Sequence, residues 1–303
     1  VRILVLGADG MLGHQLVESW APRHDLWATT RRASGAPDRA APGRGPGAAL
    51  PTPLPPGRLL TSVDARQEAA LAGALEAARP EVVVNAIGIV KQRAEAEAAE
   101  PSLEINALLP HRLARLCGQA GARLVHLSTD CVFSGQKGGY TEADQPDPVD
   151  LYGRTKLLGE VSAPHVLTLR TSIIGLERDH RAGLVEWFLA QRGPVQAYRR
   201  AIWSGLTTAA LARALEALLA GQPALHGVWH LASEPINKAA LLRRLLVRLP
   251  GRDVQLVPDD AVVCDRSLDG RALLAKTSYR VPGWDAQLDE LAEQILKREG
   301  SST

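Results

Sequence analysis

Val1-Arg-Ile-Leu-Val-Leu-Gly7-Ala-Asp-Gly10-Met-Leu-Gly13 runs from an apolar stretch directly into three glycines spaced three apart. The apolar part reads as a buried strand, and Met11–Trp20 reads as the helix that follows it. Glycines between the two permit a tight turn and let backbone N–H groups approach a pyrophosphate at the positive helix end. A purely structural turn is the alternative. Because this stretch opens the first strand–helix–strand unit, Gly7, Asp9, Gly10, Met11, Leu12 and Gly13 are expected to wrap a dinucleotide.

The same alternation continues downstream. Asp25–Thr30 reads as a second strand, Leu59–Val63 as a further short one and Ala65–Ala78 as a helix ended by Arg79-Pro80. Glu81–Ala86 (EVVVNA) is apolar and β-branched, as a strand covered on both faces should be. Ser102–Gln119 reads as a long helix that Pro110 must kink or restart. Arg123–Ser128 is another strand, Asp150 is a good N-cap for a helix over Leu151–Val161, and Val166–Ile174 is a strand. Strand–helix repetition of this kind predicts an α/β fold, a Rossmann-type doubly wound parallel sheet over residues 1–175. Residues 176–303 read as a smaller α+β lobe that binds substrate, with helices at Leu184–Gln191, Thr208–Leu219 and Lys238–Leu249. Gly227–Ala232 reads as a strand, and the part around residues 205–232 is expected to return to the main sheet. Ala33–Arg58, dense in Pro, Gly, Ala and Arg, lacks the apolar content to offset its ordering entropy and reads as a flexible surface insertion.

Composition narrows the class. With 303 residues, a formal charge of +2 and scattered basic residues, the chain has no electrostatic footprint for nucleic acid. No apolar run is long enough to span a bilayer, and Val1–Leu6 leads into glycines as a strand does, not as a signal peptide does. Cys117, Cys131 and Cys264 are odd in number and lack metal-type spacing, so no metal is expected and a reduced, cytoplasmic setting is. Cys131 lies near Thr129 and reads either as a buried core cysteine or as a reactive thiol.

The chemistry concentrates in Ser128-Thr129-Asp130 and Tyr152-Gly-Arg-Thr-Lys156. A tyrosine four residues before a lysine shares a helix face with it. The ammonium is expected to stabilise phenolate and pull the Tyr152 pKa down, while Thr129 shares the substrate oxygen with the phenol. That apparatus moves a proton while a nicotinamide moves a hydride. Asn85-Ala86-Ile87-Gly88 ends a strand at the carboxyl edge, where ligands bind in open α/β sheets, and Ala86, Ile87 and Gly88 are expected beside the cofactor ribose. Where NAD-selective chains carry an acid after the second strand, this one carries Arg31 and Arg32, which suit a 2′-phosphate. NADPH is therefore expected, with NADH as the alternative. Asp64 is a candidate for the adenine amino group or, equally, a helix cap.

Taken together, these segments resemble the extended short-chain dehydrogenase/reductases, and within them the dTDP-4-dehydrorhamnose reductase family. The resemblance rests on Ser128-Thr-Asp-Cys-Val-Phe-Ser-Gly135, Tyr140-Thr-Glu-x-Asp144 and Tyr152-Gly-Arg-Thr-Lys-Leu-Leu-Gly-Glu160. It continues in Leu169-Arg-Thr171, Ser204-Gly-Leu-Thr-Thr208, Asp265-Arg-Ser-Leu-Asp269 and Pro282-Gly-Trp284, so only the Pro-rich insertion lies outside it. It implies NADPH-dependent reduction of the 4-keto group of a nucleotide-linked 6-deoxy sugar. Tyr152 would be the general acid, Lys156 the ribose anchor and Thr129 the third hydroxyl, with Asn106 supporting from the helix behind. Ser128, Asp130, Cys131, Val132, Phe133 and Trp203 would contact substrate, although core packing is the alternative for Val132 and Phe133. Partners implied are the sugar nucleotide and either none or a second copy in a homodimer. Two departures bear on the sugar: Asn85 is followed by Ala-Ile-Gly-Ile-Val-Lys-Gln, and Cys131 stands where the family often has tyrosine. Lys91 is a candidate for a substrate diphosphate, or an exposed lysine. The rival readings are an epimerase or dehydratase holding NAD tightly, and a regulatory subunit that binds NADP without turnover.

Overall fold

The computed structural model describes residues 1–33, 53–90, 98–178 and 182–300. In its first half β1 (Arg2–Leu6), α1 (Met11–Trp20), β2 (Asp25–Thr29), β3 (Leu59–Leu60), α2 (Glu68–Ala78) and β4 (Val82–Asn85) follow in order. Next come α3 (Ala99–Ser102), a π-helical turn (Leu103–Leu108), α4 (Leu109–Ala120), β5 (Arg123–Thr129), α5 (Leu151–Leu158) and β6 (Val166–Thr171). Beyond these are β7 (Ile173–Ile174), α6 (Leu184–Leu189), β8 (Gly193–Tyr198), β9 (Ala201–Trp203), β10 (Leu206–Thr207), α7 (Thr208–Gly221) and β11 (Gly227–His230). The chain ends with β12 (Ile236–Asn237), α8 (Lys238–Val247), β13 (Val254–Asp259), β14 (Cys264–Asp265), α9 (Arg271–Leu274) and α10 (Trp284–Gly300).

Seven strands pair in the order β11-β6-β5-β4-β1-β2-β3, every pair parallel. This is the doubly wound Rossmann architecture. Side-chain alternation divides β1 between the two faces: Ile3 and Val5 join the core under α1 and α7, Leu4 and Leu6 the core under α2 and α4. A third core gathers Phe188, Trp203, Leu241, Leu245, Trp284, Leu288 and Ile295 from the later segments.

Several boundaries differ from the sequence reading. The strand expected over Leu59–Val63 is confined to Leu59–Leu60 at the sheet edge, and α2 starts at Glu68, not Ala65. Val166–Ile174 divides, because β7 leaves the main sheet to pair with β10. Most of the proposed insertion, residues 34–52, lies outside the described residues. Its end is packed: Leu54 is buried in the α1-side core, and Arg58 pairs with Asp25 at 2.6 Å and stacks over Trp27. Pro110 sits in the first turn of α4, directly after the π-helical turn. The wider π turn before it accommodates the ring against the preceding carbonyls.

Behind the carboxyl edge lies a buried charge network. Arg170 of β6 holds Glu160 through two bonds, 2.8 and 2.7 Å, and Ser128 donates to the same carboxylate at 2.7 Å. Arg170 also meets His230 of β11 at 3.3 Å, and both ion-pair side chains are only 7% exposed. These bonds tie the segment after α5 to three adjacent strands. Removing one partner of such a pair strands the other charge, so Glu160→Gln should cost about 3–5 kcal/mol of stability in urea denaturation. A loss below about 1 kcal/mol, the range of exposed pairs, would mean that water screens the pair.

Candidate active site

The site is assembled where β1, β4 and β5 end. Gly7 has φ +88°, and a Cβ there would lie 2.8 Å from Ile87. At Gly13 a Cβ would lie 2.0 Å from the Gly7 carbonyl oxygen, so the turn closes only without side chains at both positions. Gly10 precedes α1, no side chain caps the helix's first amides, and its first turn holds no acid. An N-terminus in that state favours an anion. Asp9 accepts a hydrogen bond from Thr30, which links the turn to the end of β2. Leu12 is core, and Met11 reaches Gly183, just before α6.

Arg31 is exposed beyond β2, and the backbone N–H of Arg32 donates to Thr30 Oγ1 at 3.1 Å. Asp64 is engaged by Arg66, Nε at 3.0 Å and Nη2 at 2.5 Å, and that bond holds its carboxyl below the usual range. The N-cap of α2 is Gln67, so Asp64 forms a turn before the helix and not its cap.

The loop after β4 is pinned from two sides. Asn85 Oδ1 accepts from the Ile87 N–H at 3.1 Å. Asn106, in the π turn, bonds both backbone groups of Ile89, accepting at 3.0 Å and donating at 2.9 Å. Gly88 packs on Asn106, and the Asn106 carbonyl faces Gly159, where a Cβ would lie 2.0 Å away. Lys91 lies outside the described residues.

Thr129 ends β5. Its hydroxyl donates to Asp130 at 3.2 Å, accepts from the Cys131 N–H at 3.1 Å and is within hydrogen-bonding reach of the Tyr152 phenol. Asp150 caps α5 by accepting from Gly153 N–H at 2.8 Å, which fixes Tyr152 in the first turn. Gly153 rests on the Cys131 carbonyl, where a Cβ would approach to 2.2 Å. The Lys156 ammonium donates to the Leu127 carbonyl at 2.6 Å. Tyr152 thus stands beside Thr129 and Lys156 reaches Leu127 of the same strand, but the expected lowering of Tyr152 is reversed. Burial, with Cys131 and Asp130 close by, pushes the phenol well above its ordinary value, and the lysine is turned to backbone.

Three expected substrate contacts point elsewhere. Ser128 faces the opposite side of β5 and is taken by Glu160. Val132 and Phe133 are fully buried, with Phe133 stacked on Tyr140 at 4.1 Å, so core packing claims both. Cys131 is half-buried and held as a thiol, its pKa pushed up to about 12 by burial and by Asp130. Trp203 is buried, but its ring carries the Lys238 ammonium at 3.9 Å.

A family model described as the RmlD substrate binding domain matches residues 1–249. The chain belongs to this family. A dTDP-4-dehydrorhamnose reductase of Burkholderia thailandensis is 31% identical over 177 residues, 57% of this chain and 50% of that protein. The methionine adenosyltransferase 2 subunit beta of Danio rerio is 30% identical over 160 residues, 52% of this chain and 42% of that protein. The chain thus spans about half the length of these curated relatives. A dTDP-4-dehydrorhamnose reductase of Bacillus anthracis, solved with NADP, superposes with TM-score 0.76 at 18% identity, over 97% of this chain and 99% of that one. Likeness at that identity concerns the fold.

Two cations not singled out in the sequence lie near Asp130. Lys238 opens α8 and Arg266 follows β14, both half-buried and both acting on Asp130. A lone lysine at a helix start and an arginine in an arginine-rich chain carry no sequence signal of a shared place.

Burial lowers Lys156 from 10.5 to about 8, with Glu160 opposing. The native state thus holds this proton less firmly than the unfolded chain, and its destabilising effect, full below pH 8, fades as pH rises to 10.5. Lys156→Met should stabilise the fold near neutral pH and lose that advantage by about pH 10.5. Urea midpoints of both proteins across that range check this; a constant offset would mean that Lys156 stays solvated.

Proposed function

We propose that the chain is an NADPH-dependent reductase acting on the 4-keto group of a nucleotide-linked 6-deoxy sugar. What supports this is Tyr152 beside Thr129 at the end of β5, with Lys156 bonded to Leu127 of the same strand and a glycine turn at the end of β1 in the same parallel sheet. The cofactor fits the residues present. The space kept clear at Gly7 and Gly13 and the uncapped first turn of α1 suit a pyrophosphate. Arg31 and Arg32 suit a 2′-phosphate, and Ala86, Ile87 and Gly88 border the ribose side. NADPH, when bound, would supply the hydride.

The remaining work falls to side chains of this chain. A phenol whose pKa is held high is protonated at neutral pH, as a proton donor to a forming alkoxide must be. Thr129 would hydrogen-bond the same oxygen and help neutralise its developing charge. Lys156, on the next turn of α5, would leave the Leu127 carbonyl for the ribose hydroxyls. Segments after residue 175, outside the returning stretch of α7 and β11, would form the substrate lobe. The free thiols suit a reducing compartment such as the cytoplasm.

A second reading is favoured by the similarity to methionine adenosyltransferase 2 subunit beta: a regulatory subunit that binds NADP without turnover. The intact Thr129, Tyr152 and Lys156 weigh against it. NADPH oxidation with dTDP- and UDP-linked 4-keto-6-deoxy sugars separates the two, turnover with either supporting the reductase. Tyr152→Phe should bind NADPH as the parent does and lose roughly 10²–10⁴ in rate. Turnover near the parent's would remove Tyr152 from the mechanism.

A further inference from the structure

His126 lies inside β5, where strand register sets it opposite Asn85 of β4. Leu124 and Val83 stand two residues earlier on the same strands, hence on the same face, and both are core. The next position on that face holds an imidazole and an amide instead, each only 1% exposed. Burying two such polar groups costs free energy unless their hydrogen bonds are made.

The bonds settle how both groups are oriented. Asn85 Oδ1 accepts from the Ile87 N–H at 3.1 Å, so its NH2 faces the ring, with Nδ2 3.2 Å from His126 Nδ1. A ring nitrogen that accepts carries no hydrogen, which puts the hydrogen on Nε2 and leaves the imidazole neutral. Burial, with Lys156 and His111 nearby, holds the ring well below its ordinary pKa, in keeping with that state. Among the described residues Nε2 has no hydrogen-bond partner, so the one bond the ring makes is to Asn85.

Asn85 passes this constraint on to the glycine turn. The Ala86 N–H donates to the Leu6 carbonyl at 3.1 Å, which ties the start of the loop to the end of β1. A Cβ on Gly7 would lie 2.8 Å from Ile87 Cγ1, and one on Gly10 would lie 3.8 Å from the Ala86 carbonyl oxygen. With its amide turned to Asn85, Ile87 thus lies directly against the turn. A rotated Asn85 amide would set NH2 against the Ile87 N–H, donor to donor, and the loop would lose its hold. His126 Nδ1 is the acceptor that opposes this rotation.

We propose that His126 is a positioning residue for the cofactor: through Asn85 it fixes the Ile87 amide, and with it the loop that lies between NADPH and the strand ends. This rests on the reading of Ala86, Ile87 and Gly88 as the border of the cofactor ribose. A rival role for His126 is simple core filling, which leucine would serve as well.

The test uses the parent, His126→Leu and His126→Asn, because asparagine keeps an acceptor at the Nδ1 position and leucine does not. NADPH titration should show affinity weakened roughly 5- to 20-fold in His126→Leu and within a few-fold of the parent in His126→Asn. Amide hydrogen exchange at Ile87 should quicken in His126→Leu and stay slow in His126→Asn. In the parent, ¹⁵N-imidazole spectra should show His126 with its hydrogen on Nε2; this reading stands whether or not His126→Leu folds. A hydrogen on Nδ1 overturns the proposal, and so does parent-like NADPH affinity in His126→Leu. An equal loss in both variants also overturns it, since that would mark packing and not the acceptor. If the parent binds no NADPH, the cofactor reading fails by itself, while the tautomer and the Ile87 exchange still decide what His126 holds.

Discussion

Parallel pairing in strict register is the constraint on which this molecule depends. Leu6 pairs with Asn85 and with Thr29, Asn85 with His126, and Thr129 with Thr171. Those pairings bring the ends of five strands to one edge, where the glycine turn, the Ile87–Ile89 loop and Thr129 emerge. Register also decides which side chain serves the site. Ser128 and Thr129 are adjacent hydroxyls of similar chemistry, yet alternation sends one into the Glu160–Arg170 network and the other to the edge. A slip of one residue would exchange them.

Close backbone approach holds the crevice in shape. Gly13 on Gly7, Gly153 on the Cys131 carbonyl and Gly159 on the Asn106 carbonyl each leave no room for a Cβ. Each contact locks a helix against a strand end or a turn that carries functional groups. The π turn before Pro110 belongs to the same set. It positions Asn106 so that its side chain fixes the loop after β4 while its carbonyl meets α5. Around this rigid frame the charges are poorly solvated: Lys156 and Lys238 are lowered and Tyr152 is raised, all chiefly by burial. Electrostatic contacts to a ligand in such a place act in a low dielectric and count for more than at the surface.

Local pattern made much of this legible beforehand. The apolar run into Gly7, the β-branched Val82–Val84 and the Asp150 cap each encode their element within a few residues, and each formed as read. Where local signals ran short, the reading blurred. The strands β8, β9, β13 and β14 are short or half-exposed, and they exist because they pair with one another. Helix α10 has an ordinary amphipathic pattern, and its place is set by packing on Trp203 and α8. Tyr152 is raised and not lowered, because a Tyr-x-x-x-Lys spacing fixes a shared face but neither the burial of the phenol nor where the ammonium points.

The sequence by itself determined the sheet, its carboxyl edge and which candidate hydroxyls stand near it, since periodicity, glycine spacing and helix caps act over a few residues. Tertiary structure alone decided which neighbours those groups meet. It turned Lys156 to Leu127, Ser128 to Glu160 and Phe133 into the core, and it brought Lys238 and Arg266 from distant segments to Asp130. The physical reason is that burial and Coulomb interaction depend on distance in space, which sequence separation does not encode.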